Sequence, residues 1–285
     1  MTGLALALVL GSAVLHASWN LIAKQARGGI GFLWLFAVMT AVIYAPVAVI
    51  YYLAAKPIFT STHLVFALVS AVIHVGYFIC LQRGYRAGDL SLVYPLARGS
   101  GPALATVLAI LVLSERPSAL ALSGTALVVL SVFVLTGGKG LSGAQNRLAV
   151  IYGLLTGLFI AVYTVWDGYA VGHLGAAPLL FTFTGELFRA VILLPLVLTK
   201  REEVARAWRQ NRWHALGVAV LSPLGYIMVL SAMQFTPISQ VAPAREISIL
   251  IGTLIGTRLL AEGEGRRRLI GAAGMVVGIV LLALG

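Results

Sequence analysis

Long apolar stretches dominate the pattern of hydrophobic and polar positions along the chain. A helix needs about 20 apolar residues to cross the hydrocarbon core of a bilayer. Ten stretches come close to that length, and only short polar segments separate them. They are 2–23, 30–55, 63–82, 90–113, 119–136, 148–171, 178–199, 213–235, 238–260 and 269–284. The pattern predicts an all-α integral membrane protein with ten spanning helices and no inserted soluble domain.

Two connecting segments have distinct compositions. The longest, 200–212 (KREEVARAWRQNR), predicts one or two amphipathic turns on the membrane surface. Segment 137–146 (GGKGLSGAQN) is flexible by composition and lies at the midpoint of the chain. We interpret it as a joint, which gives a first five-helix repeat over 1–137, a linker over 138–147 and a second five-helix repeat over 148–285. The N-terminal stretch lacks a basic n-region, so we expect a spanning helix there and not a cleaved signal peptide.

Landmark residues of the first half recur in the second half in the same order. A shift of 147 to 149 positions relates Trp19-Asn20 to Trp166-Asp167, Glu115 to Glu262, Gly124 to Gly271, Ser91 to Ser239, Pro95 to Pro243 and Tyr77 to Tyr226. Each half has five predicted spans. An odd number makes the second copy enter the membrane from the opposite side, so the repeats are predicted to be inverted around a central cavity.

Two corresponding segments interrupt their apolar surroundings. Segment 91–102 (SLVYPLARGSGP) contains two prolines, two glycines and Arg98, and segment 239–250 (SQVAPAREISIL) contains Pro243 and the pair Arg245–Glu246. A broken, charged helix at membrane depth is tolerated only where protein or a water-filled cavity surrounds it. Its occurrence at matching places in two halves indicates the binding site of a transporter. We therefore expect both segments to be broken and to line a central cavity.

Composition and charge narrow the class of protein. The chain is 60% hydrophobic and 10% charged, whereas soluble domains are about half apolar and a quarter charged. The net charge of +11 does not indicate a nucleic-acid partner, because the basic residues fall in alternate loops. That rule places the loops after spans 1, 3, 5, 7 and 9 in the cytoplasm. It predicts that both termini face outward, which is the periplasm if the host is a Gram-negative bacterium.

Motifs for catalysis and metal binding are absent from the sequence. The single cysteine, Cys80, allows no disulfide within the chain and no cysteine cluster for a metal, and we interpret it as a small buried hydrophobic residue. No zinc-protease motif, nucleotide-binding loop or nucleophile elbow occurs. We expect no cofactor, no metal and no enzymatic activity.

Three charged residues are candidates for substrate binding. Arg98 lies near the middle of its span, and an ionisable group at that depth usually faces the protein interior. Arg98 or Arg245 could bind a substrate carboxylate, or either could pair with Glu246 and lock the two halves together; both interpretations stay open. Glu186 and Arg189 are three residues apart on span 7, which favours a structural pair on one helix face.

Aromatic and polar residues complete the candidate set. Trp19 and its equivalent Trp166 are predicted at opposite ends of the cavity, as gates or as membrane-interface anchors. His74, Tyr77 and Tyr94 could place polar tips on an apolar wall, although a helix-packing histidine is equally consistent. The predicted substrate-binding residues are Trp19, Asn20, His74, Tyr77, Tyr94, Arg98, Trp166, Tyr226, Arg245 and Glu246.

Other repeated residues favour structural roles. Glu115 and Glu262 precede spans 5 and 10, where a carboxylate complements the dipole at a helix N-terminus. Two GxxxG patterns, Gly252 to Gly256 and Gly274 to Gly278, predict close helix packing. We favour packing within a monomer and leave a dimer open.

The ten spans, the duplication and the repeated ending resemble the EamA type of the drug/metabolite transporter superfamily. The ending is LSERPSALALSGTALVVLSVFVL over 113–135 and LAEGEGRRRLIGAAGMVVGIVLLAL over 260–284. The chain looks most similar to the branch that exports amino acids, aromatic ones included. The resemblance implies a basket of helices around a cavity, with spans 5 and 10 packed away from it. The superfamily's four-span multidrug members carry a carboxylate in their first span, whereas this chain has Asn20 there and its only acidic counterpart is Asp167.

Together with the cavity-lining segments, this resemblance leads us to predict a secondary carrier of the bacterial inner membrane that exports amino acids and related zwitterionic metabolites by alternating access. In this hypothesis Arg98 or Arg245 attracts the carboxylate, while Trp19, Tyr77, Tyr94 and Trp166 enclose the side chain. The alternative is an exporter of other metabolites or drug-like cations, with or without proton coupling, because aromatic rings and Glu246 suit a cation. A membrane enzyme or receptor is less favoured, since it would need a catalytic constellation that the sequence lacks.

Overall fold

The computed structural model describes residues 1–26, 29–88, 90–136, 144–251 and 265–285. Over these residues the chain is helical and has no strand. The helices are α1 (Gly3–Ala26), α2 (Ile30–Ala55), α3 (Ser61–Ala87), α4 (Leu90–Leu113), α5 (Ala119–Thr136), α6 (Ala144–Gly172), α7 (Pro178–Leu198), α8 (Arg201–Met233), α9 (Ile238–Ala244) and α10 (Gly265–Leu284).

Most of the described helices can cross a membrane. Within the described residues, seven are long and apolar enough, namely α1 to α4 and α6 to α8, while α5 and α10 have shorter apolar parts (Ala119–Leu135 and Leu269–Leu284). Large apolar side chains such as Leu111 (73% exposed) and Val42 (67%) lie on the outside of the bundle. Such extended exposed apolar surface suits contact with lipid. The prediction of a multi-pass, all-helical membrane protein is confirmed.

The hydrophobic pattern predicted most helix ends well, and α8 is the exception. Helices α2, α4 and α5 have the predicted bounds, whereas α8 begins at Arg201, so segment 200–212 is helical over more than the one or two turns predicted and is continuous with the span. No proline or glycine interrupts 201–216, and Glu202 and Glu203 in the first turn complement the helix dipole. The helix therefore continues out of its apolar part. Similarly, α6 begins at Ala144, inside the predicted linker, whose residues 138–143 lie outside the described part; the division into repeats stays a prediction.

The two interrupted segments behave differently. Helix α4 is continuous through Pro95 and Pro102, so the predicted break in the first half is wrong. In the second half α9 ends at Ala244, residues 245–246 form a turn, and the backbone is helical again over 247–251. Here the amides of Glu246, Ser248 and Ile249 donate to carbonyls three residues earlier, which tightens the backbone.

A residue of α4 supports the broken helix. Pro243 has no amide hydrogen, so it cannot donate to the carbonyl of Ser239 four residues earlier. The hydroxyl of Thr106 in α4 donates to the carbonyl of Pro102 at 3.0 Å, and it also lies 3.5 Å from the carbonyl oxygen of Ser239. Neighbouring helices commonly satisfy carbonyls freed by proline in membranes. The Thr106 hydroxyl is the polar group of α4 that lies beside the break in α9.

Helix packing repeats between the two halves. Helix α1 packs on α8 as α6 packs on α3, and α2 packs on α8 as α7 packs on α3. A shift of five helices relates the two halves: α1 corresponds to α6, α2 to α7 and α3 to α8. The contact of α1 with α8 therefore corresponds to that of α6 with α3, and the contact of α2 with α8 corresponds to that of α7 with α3. Helices equivalent by the same exchange also pack on each other: α2 on α7, α4 on α9, and α5 on α10. The described helices thus support the duplication found in the sequence.

Helices α5 and α10 approach each other closely. A Cβ atom on Gly124 of α5 would lie 2.7 Å from the carbonyl oxygen of Gly278 of α10, and one on Gly274 would lie 2.5 Å from the hydroxyl of Ser131. Only glycine permits this separation, so the pattern from Gly274 to Gly278 serves packing within the monomer. The other pattern, Gly252 to Gly256, lies outside the described residues.

Candidate functional site

An ion pair joins the two halves at the centre of the molecule. Arg98 comes from the middle of α4, and Glu246 comes from the turn after α9, at the position equivalent to Arg98 by a shift of 148. Arg98 Nε lies 3.0 Å from Glu246 Oε2, and their side chains are only 11% and 4% exposed. Arg98 Nη2 also donates to Ser248 Oγ at 3.2 Å. Of the two roles left open by the sequence, Arg98 takes the structural one in this conformation.

Arg245, the other central arginine, forms no ion pair within the described residues and can bind an anionic ligand. Its guanidinium carbon lies 5.7 Å from the ring centroid of Tyr226, a cation–π contact. Within the described part of the chain no carboxylate lies within ion-pair distance of Arg245. Its side chain is partly exposed, while Glu246 beside it is buried and already neutralised. Arg245 therefore fits a substrate carboxylate better than Arg98 does.

An aromatic cluster lies beside Arg245. The ring of His74 stacks on Tyr163 with centroids 4.1 Å apart and meets Tyr226 edge-on at 5.8 Å. Tyr77 meets the other side of Tyr163 at 5.9 Å. The fold thus brings together four predicted residues: His74, Tyr77, Tyr226 and Arg245. Sequence analysis missed Tyr163, although the same shift of 147 that relates Trp19 to Trp166 relates His16 to Tyr163.

Three residues of the second repeat, Trp166, Asp167 and Tyr226, form what we call the second triplet. Hydrogen bonds and ring stacking join it to neighbouring helices, and we call this arrangement closed. The hydroxyl of Tyr226 on α8 donates a hydrogen bond to Asp167 Oδ2 on α6. Trp166 stacks on Phe66 of α3 with centroids 4.2 Å apart, and its Nε1 donates to the Phe66 carbonyl at 2.9 Å. Asp167 is fully buried, and its Oδ1 has no hydrogen-bond partner among the described residues. The Ser70 hydroxyl also interacts with this carboxylate, and Oδ1 keeps the capacity to accept a further hydrogen bond.

The equivalent first-repeat group, Trp19, Asn20 and Tyr77, is the first triplet. Trp19 packs against an apolar cluster that includes Phe32 and Val218, but no hydrogen bond joins the triplet to another helix among the described residues, and we call this arrangement open. Asn20 Nδ2 donates to the carbonyl of His16 in its own helix at 2.8 Å, and Trp19 meets only the His16 ring, at 4.8 Å, among its described ring contacts. Helices α6 and α8 pack on each other, whereas their equivalents α1 and α3 have no comparable packing among the described residues.

A cavity occupies the space beside the first triplet. Its volume is ≈ 50 Å³, and it is lined by His16, Trp19, Asn20, Tyr77, Leu81, Tyr85, Tyr94, Ala97, Arg98 and Ile160. Small-molecule pockets usually measure about 300–1,000 Å³. The cavity would therefore have to widen to hold a ligand of that class. Five of the ten predicted substrate-binding residues line this cavity: Trp19, Asn20, Tyr77, Tyr94 and Arg98. Three more, His74, Tyr226 and Arg245, lie in the neighbouring aromatic cluster, and Glu246 pairs with Arg98. Trp166 is packed against α3 instead.

Two other acidic residues have structural contacts. Glu115 accepts hydrogen bonds from the amides of Ile238 (2.8 Å) and Ser239 (3.0 Å), so it caps α9 of the opposite half and not, as expected, the following helix α5. Glu186 pairs with Arg189 at 2.8 Å, as predicted. Glu262 lies outside the described residues. Within the described residues no three His, Cys, Asp or Glu side chains cluster in a way that could hold a metal ion.

Comparisons with known proteins agree with this architecture. One solved crystal structure superimposes with a TM-score of 0.74 over 98% of both chains, at 12% sequence identity, which shows a shared fold. A search of curated proteins found no match. The family model described as the EamA-like transporter family matches twice, over residues 3–137 and 147–284. With nearly all of the chain matched in two copies, this membrane protein belongs to the EamA-like transporter family and transports small molecules.

Proposed function

We propose that the protein is a secondary carrier that exports amino acids, aromatic ones among them, and related zwitterionic metabolites across the bacterial inner membrane. The observation that carries this proposal is the cation Arg245, which has no ion-pair partner within the described residues and lies on the ring of Tyr226, beside the cluster of His74, Tyr77 and Tyr163. A zwitterion needs a cation for its carboxylate and an acceptor for its ammonium group. Arg245 offers the first and Asp167 Oδ1 the second, and both residues contact Tyr226.

The aromatic cluster would hold the side chain of the substrate. Pockets for small molecules combine apolar and aromatic walls with a few placed polar groups, and stacked or edge-on rings attract one another beyond their buried area. Tyr77 belongs both to this cluster and to the lining of the cavity, so it links the space beside Arg98 with Arg245. Trp19 and Tyr94 line the same cavity and complete its aromatic wall.

We further propose alternating access by two inverted repeats. Basic loops predict that Trp19 lies near the cytoplasmic end of α1 and Trp166 near the outer end of α6. The closed second triplet and the open first triplet then correspond to a conformation shut toward the periplasm and loosened toward the cytoplasm. Exchange of the two packing arrangements between the halves would open the other side.

A second candidate is export of drug-like organic cations. The buried, half-unsatisfied carboxylate of Asp167 among aromatic rings supports it, because both groups attract cations. Glu246 does not support it, since Arg98 already neutralises that carboxylate. Proton coupling through Asp167 would accompany this second function.

Flux into sealed proteoliposomes tests the proposal. Labelled phenylalanine and threonine are supplied first without an ion gradient and then with a proton gradient. We expect saturable entry of phenylalanine, competition by other zwitterions and no competition by phenethylamine, which lacks the carboxylate. Competition by phenethylamine but not by amino acids would favour the cation carrier, and no saturable entry under either condition would refute the proposal.

The role of Arg245 is tested separately. Arg245→Gln removes the cation but keeps a polar side chain, so phenylalanine flux should fall by about 30-fold or more, as for a hydrogen bond to a charged group of about 2 kcal/mol or above. Lys56→Gln, in an exposed connecting loop, removes one positive charge elsewhere and should leave flux unchanged. Normal phenylalanine flux in Arg245→Gln protein would show that another group binds the carboxylate.

A further inference from the structure

A large groove lies on the outside of the bundle, away from the central cavity. It has a volume of ≈ 690 Å³ between α2, α7 and α8. Its lining combines aliphatic side chains with two arginines and two tryptophans: Trp34, Leu35, Val38, Leu194, Val197, Leu198, Arg201, Val204, Ala205, Trp208 and Arg209. Neither the substrate site nor the packing of the two repeats uses these arginines.

The groove lies at one edge of the membrane. Helix α8 has 33 residues, or about 50 Å at 1.5 Å per residue, whereas the hydrocarbon core is about 30 Å thick. Its polar first turns therefore extend beyond the core. A Cβ on Gly31 of α2 would lie 2.7 Å from the backbone of Glu203, so α2 begins at the same level. The arginines lie on these first turns, and the aliphatic residues of α7 lie on its last turns.

The charges at this edge are unbalanced. Segment 200–212 has five Lys and Arg residues against two Glu residues, and Lys200 pairs with Glu203 at 3.0 Å. Arg201 and Arg209 are exposed, and neither makes an ion pair within the described residues. Trp208 beside them is 51% exposed. Tryptophan at this level is typical of the headgroup region of a bilayer.

We propose that this groove binds an anionic phospholipid of the surrounding bilayer. The phosphate lies between Arg201 and Arg209, and an acyl chain follows Val38, Leu194 and Leu198 into the membrane. Arginine suits phosphate because its planar guanidinium donates several hydrogen bonds, and basic pockets between helices on the cytoplasmic side recognise such headgroups. The basic-loop rule predicts that this edge is the cytoplasmic one.

A lipid fits this groove better than a second copy of the chain. A two-fold dimer places the same surface patch on both partners. The basic segments 200–212 of the two copies would then approach each other, and Glu202 is the one carboxylate of that segment left to neutralise their excess positive charge among the described contacts. A negatively charged headgroup supplies a counter-charge, and its acyl chain covers the exposed apolar side chains of α7.

Native mass spectrometry of the full-length protein tests this proposal. The protein is purified in detergent with equimolar phosphatidylglycerol and phosphatidylcholine of identical acyl chains, and the retained lipids are counted. We expect a preference for phosphatidylglycerol that falls about tenfold or more in the double variant Arg201→Gln/Arg209→Gln. The matched variant Arg206→Gln/Arg212→Gln removes the same charge from the same helix, outside the groove, and should lose less than twofold.

A third variant tests the groove by shape and not by charge. Ala205→Trp fills the groove and should reduce retention of both lipids, while Arg201 and Arg209 stay in place. Equal loss of preference in the two double variants would overturn the proposal, because it would indicate a diffuse basic surface. Unchanged retention in the Ala205→Trp variant, or a stable dimer that excludes lipid, would overturn it as well.

Discussion

The first and second triplets have nearly the same side chains, yet they are packed differently. In the second, Asp167 and Tyr226 are hydrogen bonded between α6 and α8, and Trp166 is fixed on Phe66. In the first, the Asn20 side chain bonds within α1 alone among the described residues, and Tyr77 lines a cavity. One sequence pattern is thus present in a closed and an open arrangement within one molecule. The comparison teaches that the difference between the two ends lies in packing more than in composition.

Part of the difference is chemical. The second triplet has a carboxylate where the first has an amide, at Asp167 and Asn20. A hydrogen bond to a charged acceptor contributes about 1.5–3 kcal/mol, against about 1 kcal/mol for a neutral pair. The carboxylate therefore favours the closed arrangement of the second triplet over that of the first.

The largest expected effect on stability concerns the central ion pair of Arg98 and Glu246. Arg98→Gln or Glu246→Gln leaves one buried charge without its partner and should lower the free energy of unfolding by about 3–5 kcal/mol. The double variant should recover most of that loss. Denaturation in detergent micelles measures all three in a double-mutant cycle. Additive losses in the double variant would contradict a direct pairing.

The next effect separates the two tyrosines. Tyr226→Phe removes the hydrogen bond from the Tyr226 hydroxyl to Asp167 and should destabilise the closed arrangement by about 1.5–3 kcal/mol. Tyr77→Phe should cost less than about 0.5 kcal/mol, since its hydroxyl has no hydrogen-bond partner in the described part of the chain.

Thiol labelling measures this opening. Val171 near the end of α6 is 2% exposed, and Cys80 is the single native cysteine. In a Cys80→Ser/Val171→Cys background, Tyr226→Phe should speed labelling by an impermeant maleimide about tenfold or more. Tyr77→Phe should not, and equal rates in both variants would show that the Asp167–Tyr226 bond does not hold this end closed.

A smaller effect compares the two tryptophans. Trp166→Phe keeps an aromatic ring on Phe66 but loses the hydrogen bond to the Phe66 carbonyl, which should cost about 1 kcal/mol. Trp19→Phe loses no such bond among the described contacts and should be close to neutral. Thermal denaturation of each variant in detergent provides the comparison. A larger loss for Trp19→Phe would indicate a contact outside the described residues.

The smallest expected effect comes from a substitution that makes the first triplet more like the second. Asn20→Asp gives the first triplet the carboxylate of the second, so Tyr77 gains a charged acceptor when that end closes. The population closed at the first triplet should rise about fivefold, the equivalent of about 1 kcal/mol. Labelling at Val171→Cys in the same background should rise by a similar factor. Slower labelling would show that the packing around Asn20 opposes closure.

Much of the fold follows from the hydrophobic pattern, because a spanning helix must be apolar along the thickness of the bilayer. That is why α2, α4 and α5 have their predicted ends. The same signal stops where a helix leaves the hydrocarbon, so it does not reveal that the first turns of α8 belong to the same helix as its span. Proline content predicted a break in both halves, yet only α9 has one, because prolines within a membrane helix break it only when the surroundings favour a bend.

The site was partly predictable because duplication identifies equivalent residues without a structure. It named both tryptophans and both tyrosines, and the same arithmetic could have found Tyr163 from His16. It could not decide between Arg98 and Arg245 as the partner of Glu246, since that depends on the turn after α9. The cap from Glu115 to Ile238 joins residues 123 positions apart, so only the folded chain reveals it.

The cap at Glu115 makes α9 a lever with one fixed end. Both oxygens of that carboxylate hold the first amides of α9, while the opposite end of the helix leads directly into Arg245 and Glu246. Seven residues give an arm of about 10 Å. A tilt of about 10° about the capped end would move the far end by about 2 Å at that arm length. Added to the 3.0 Å between Arg98 Nε and Glu246 Oε2, that shift is enough to break the ion pair. A small tilt of α9 would therefore exchange the partners of Arg98, Arg245 and Glu246 while the end of the helix capped by Glu115 stays in place.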